Sequence, residues 1–129
     1  MGQNTDALEQ GYEAFGRGDL ESAMESWHDD IRWEGSESTR LPGSGVHEGK
    51  QAIAGALQET VGAYDTFTVI PDEFIEDGET VVTLGHTEAS KGEKSAKLPF
   101  VHIWRFEGGK AKRVQILTDT AVAVEVLEG

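Results

Sequence analysis

The chain has 129 residues, 37% of them hydrophobic and none of them Cys, which suits one domain with a real core and excludes disulfides, thiolate catalysis and Cys-ligated zinc. Its formal net charge of -13, with a pI of ≈ 4.5, would be repelled by a phosphate backbone or an anionic lipid surface. Neither nucleic acid nor a membrane is an expected partner. The start MGQNTDALEQ has no basic or apolar leader pattern, and no later run is long and apolar enough to span a bilayer. The expectation is a soluble, cytoplasmic protein occupying residues 1–129 as one domain.

Helices come first. Leu8, Tyr12 and Phe15 recur at helical spacing behind Asp6 and Glu9, a candidate capping pair, and the Gly-Arg-Gly run at 16–18 ends this helix. Asp19 can cap a second helix carrying Leu20, Ala23, Met24 and Trp27 on one face. DDIRW reads as a short strand. Residues 35–49, rich in Ser and Gly, predict a loop lying over something, and loops of this length are often functional. A third helix follows, with Ile53, Leu57, Val61 and Tyr64 on one face.

From Thr66 the periodicity changes to two. Four strands are predicted over 66–76, 79–88, 98–107 and 110–118, with Asp77-Gly78 and Gly108-Gly109 as tight hairpin turns. KGEKSAK reads as a polar, mobile tip, and TAVAVEVLEG as either a closing helix or an edge strand. Helices followed by a meander imply an α+β fold, three helices on one curved, antiparallel-rich sheet.

PFVHIWRFEGGK is the segment with the most chemistry. Strand alternation puts Phe100, His102, Trp104 and Phe106 on one face and Val101, Ile103 and Arg105 on the other. An imidazole among rings is either a satisfied core residue or a proton donor in a pocket; residue type alone favours the core. His28, His47, His86 and His102 lack the spacing of a dedicated metal site, so no metal and no cofactor are expected.

The order GRGDLESAMESWHDDIRW, GSGVHEGKQAI, HIWRFEGGK and TDT resembles the SnoaL-like and ketosteroid isomerase-like branch of the cone-shaped fold named after nuclear transport factor two. The resemblance covers nearly the whole chain. It implies a conical apolar pocket, a hydrophobic small-molecule ligand, proton-transfer or ring-closing chemistry without cofactor, and in many members a homodimer formed through the outer sheet face. Other members only bind or assemble, so the fold does not settle function.

Carried over residue by residue, the resemblance puts His102 where the steroid isomerases hold a protonated acid that donates to an oxyanion. An imidazole, with an ordinary pKa of about 6.5, can donate in its place. The base position falls on Gly35, with Glu34 one residue earlier and therefore on the opposite strand face. Tyr12 is one position from the isomerases' donor tyrosine and reads as pocket wall. The SnoaL-like Tyr-x-Asp arrangement becomes Leu117-Thr118-Asp119, which makes Asp119 either a general base or the cap of the following segment. Phe100 stands where epoxide hydrolases of the fold need an Arg. The expected catalytic residues are thus His102 and Asp119, and the expected ligand contacts Trp33, Phe100, Trp104 and Tyr12. The leading function is acid-base isomerisation or polyketide-type cyclisation of a hydrophobic carbonyl compound, against a noncatalytic binding or assembly domain.

Overall fold

A computed structural model describes residues 2–128. Helix α1 spans Gln3–Gly16 and buries Thr5, Leu8 and Ala14. The expected Asp6/Glu9 cap is not used. The N-cap is Gly2, and the free amide of Thr5 donates to the Glu76 carboxylate 3.0 Å away, so a residue 71 positions downstream caps the helix. Helix α2 is a single turn, Leu20–Ala23, capped as expected by Asp19 through the Ser22 amide at 3.1 Å. It does not extend to Trp27. That residue opens strand β1 (Trp27–Glu34), because its backbone joins a parallel ladder opposite Ala111. Within the predicted loop, Val46–Glu48 forms strand β2, paired with β1 through Trp33 and His47. Helix α3 covers Lys50–Gly62 and ends before Tyr64.

Strands β3 (Thr66–Asp77), β4 (Thr80–Lys91), β5 (Lys94–Glu107) and β6 (Lys110–Thr118) form the predicted meander. With β1 and β2 they make one sheet of order β2-β1-β6-β5-β4-β3, antiparallel except at β1–β6. KGEKSAK is not a loose tip. Lys91 pairs with Lys94 across a turn in which Gly92 takes φ 61°, a conformation most side chains resist. Polar outward residues hid an inward row of Ala89, Ala96 and Leu98, which packs beneath Ala123 and Val126 of helix α4 (Thr120–Glu128). The tail is therefore a fourth helix as far as 128; Gly129 lies outside the described residues.

Two apolar clusters build the interior. One gathers Leu8, Trp27, Ile31, Ile53, Val81, Trp104, Phe106 and Val114 between α1, α3 and the sheet, and the other gathers Tyr64, Leu98, Ala123 and Val126 under α4. The space bordered by both is the site.

Candidate functional site

Two neighbouring strands make the floor. On β5, Leu98, Phe100, His102 and Trp104 point inward and are all buried. Facing them on β4 is the row Val81, Thr83, Gly85, Thr87 and Ala89, with Thr83 paired to His102, Gly85 to Phe100 and Thr87 to Leu98. Gly85 is required by space. A Cβ there would come within 2.6 Å of Phe100 Cζ and 2.3 Å of the Ile70 carbonyl oxygen. With that room, the Phe100 ring lies flat against the imidazole of His102, centroids 3.9 Å apart and planes within 10°.

The cavity above this floor has a volume of ≈ 190 Å³ and is closed by α1, α3, the 35–45 loop, β1 and α4. Trp33 and Tyr12 line it with Phe100, His102 and Trp104. Among the described residues no Asp, Glu, Lys or Arg lines it.

Its polar centre is a three-residue chain of hydrogen bonds. Trp104 Nε1–H donates to Tyr12 Oη at 3.0 Å, and Tyr12 Oη lies 2.7 Å from His102 Nδ1. Indole nitrogen only donates, so the single proton of Tyr12 is free to go to Nδ1. The opposite tautomer would send that proton toward Thr83, whose buried hydroxyl adjoins Tyr12 and holds no bond within hydrogen-bond geometry. Donation from Tyr12 O–H to Nδ1 puts the imidazole proton on Nε2. That nitrogen bonds to no described residue, and His102 is among the residues that line the cavity.

Burial sets the charge states. Desolvation pushes the His102 imidazole down to about 3, which makes it neutral at pH 7. It also raises the Tyr12 phenol well above its ordinary value, so Tyr12 stays protonated. At rest the site is an uncharged donor in an apolar chamber.

Five of the six expected site residues are brought together: His102, Tyr12, Trp33, Phe100 and Trp104. Asp119 is not. Its exposed carboxylate accepts from the Val122 amide at 3.1 Å and caps α4, so the expected pairing with His102 is not assembled. Glu34 faces away from the cavity, between Arg32 and Arg113, and the Arg113 guanidinium holds its carboxyl below the usual range. Tyr12 does more than form wall, since it connects Trp104 to His102. Sequence reasoning missed Thr83 and Thr87, whose matching parity on β4 was the available signal. Among the described residues no three His, Asp or Glu side chains gather as a metal site. His47 bonds the Gly43 and Ser44 carbonyls, and His86 pairs with Asp72.

A family model described as a SnoaL-like domain matches residues 8–114. The chain belongs to the SnoaL-like family. Similar solved structures include an NTF2-like protein of unknown function from Burkholderia pseudomallei, 31% identical over 100% of both chains with a TM-score of 0.92. Another is TerC co-crystallised with polyporic acid, 30% identical over 99% of this chain and 100% of that one, TM-score 0.92. A putative SnoaL-like polyketide cyclase from Jannaschia, 13% identical over 98% and 92% of the two chains at TM-score 0.81, shares the fold. No curated protein matches.

Proposed function

We propose that this chain binds a hydrophobic ring compound through one carbonyl oxygen and accelerates an enolisation-dependent step, an isomerisation or a ring closure. The observation that carries the reading is the Trp104–Tyr12–His102 chain in the lining of an apolar cavity, which, with Tyr12 as the donor to Nδ1, leaves an Nε2–H without a described partner. A neutral imidazole donates to a carbonyl oxygen and holds it more strongly as negative charge builds there; one such oriented donor contributes roughly 10²–10³-fold. A nearby relative co-crystallised with polyporic acid supports a cavity that holds organic rings. The outer sheet face is proposed to carry a homodimer contact.

With an imidazole pKa held at about 3, His102 is a donor and a poor base. No carboxylate of a described residue lines the cavity to take the C–H proton, so the suited substrate is acidic enough to lose it to water. The same uncharged lining favours a second reading, a binding protein without turnover. Deuterium uptake at the benzylic α-carbon of β-tetralone, a stronger C–H acid than a simple ketone, separates them in heavy water. Catalysis predicts faster exchange with the wild type, cut about 10²-fold in His102→Phe and reduced in Tyr12→Phe. Binding of the ketone without any faster exchange makes the chain a binder.

A further inference from the structure

The cavity has a second polar end. Of the hydroxyls that line it, Thr60 donates to the Pro42 and Ala56 carbonyls and Thr118 to the Pro99 carbonyl, so their protons are committed, while Ser26, Ser36 and Ser44 are only half-buried. Tyr64 and Thr87 differ. They are buried residues, 9% and 7% exposed, both line the cavity, and neither hydroxyl bonds a described residue. Both belong to the α4 end: Tyr64 packs with Leu98 in the second apolar cluster, and Thr87 is the ladder partner of Leu98.

The ladder supplies the spacing. His102 pairs with Thr83, so Thr87 stands four residues along β4 from the imidazole, about 13 Å at strand rise. Between the two ends the lining is apolar, with Phe100 in the middle. A hydroxyl in the cavity wall without a protein partner is free to bond a polar group of a ligand.

We propose that Tyr64 and Thr87 form a second ligand subsite, so that the ligand is an elongated, two-ring molecule with a carbonyl at the His102 end and a hydroxyl or second carbonyl at the α4 end. The inference rests on the reading of His102 as the carbonyl donor. It goes beyond that reading by setting the ligand's length and far substituent.

The test uses two probes with the full chain: acetylbiphenyl, and the same ketone carrying a hydroxyl at the far para position. Binding is read from the fluorescence of the three tryptophans and confirmed by calorimetry. The hydroxylated ketone is expected to bind the wild type about five- to ten-fold more tightly, the worth of one neutral hydrogen bond. Tyr64→Phe and Thr87→Val together should erase that advantage, bringing the two ketones to equal affinity. His102→Phe should weaken both ketones and preserve their ratio. Equal affinity of the two ketones for the wild type, or an advantage that survives the double substitution, overturns the second subsite and leaves the His102 reading intact. Failure of the wild type to bind either ketone overturns both, and unchanged ketone affinity in His102→Phe overturns the His102 reading alone. Circular dichroism of each variant checks that the fold is kept.

Discussion

His102 is the residue on which stability and site chemistry meet. Its imidazole is held at about 3 in the folded chain and lies near 6.5 when unfolded, so below about pH 6.5 the unfolded state takes up the proton first. Its contribution is complete above pH 6.5 and is lost as pH falls toward 3, at up to about 1.4 kcal/mol per pH unit. Thermal unfolding from pH 7 to 4 should show a melting temperature that falls more steeply for the wild type than for His102→Phe; equal slopes would mean the imidazole titrates normally. Thr83 gives the opposite kind of test. Its hydroxyl is fully buried and unpartnered, so Thr83→Val, which keeps the shape, should stabilise by about 1 kcal/mol in denaturant titrations. A loss of stability would show that the hydroxyl bonds Tyr12.

Among the elements, α1 depends most on a distant partner. It lacks a local cap, and the Glu76 carboxylate of β3 receives both the amide and the hydroxyl of Thr5. Glu76→Ala should cost about 1–2 kcal/mol. Because α1 carries Tyr12, it should also raise amide exchange along that helix, and hydrogen-exchange mass spectrometry that finds α1 unchanged would refute the capping role. Strand β4 shows why some residue types are where they are. Its inward row passes from Val81 to Ala89 through a glycine that makes room for the Phe100–His102 stack. Hairpin turns at 78 and 108–109 were legible because glycine positions mark them locally. The paired tip of the β4–β5 hairpin was not, although Gly92 sits in its turn, because its inward side chains are small and gain their burial only from α4.

At the scale of the molecule, the outer sheet face is the surface still to be covered. Two rows cross it: Leu84, Val101 and Leu117, then Ile75, Val82 and Ile103, in register across neighbouring strands. Leu117 and Ile75 are 55% and 47% exposed. An apolar patch of this kind marks an interface, and the expected outcome of analytical ultracentrifugation is a dimer that Leu117→Glu dissociates. A concentration-independent mass near 14.0 kDa for the wild type would refute it. No helix among the described residues is long and apolar enough to cross a membrane.

The amino-acid sequence by itself determined the α+β class, the meander, the inward row from Phe100 to Phe106 and the presence of a histidine in it, because these follow from side-chain periodicity and glycine turns between near neighbours. Only the tertiary structure decided which polar groups meet. Tyr12 and His102 are 90 residues apart, and their hydrogen bond depends on how α1 crosses the sheet, which no local pattern encodes. Asp119 was left with two roles by the sequence, and the turn into α4 resolved them by aiming its carboxylate at its own helix. The neutral state of the imidazole has the same origin. It comes from desolvation by Phe100, Tyr12 and Trp104, and desolvation is a property of packed neighbours.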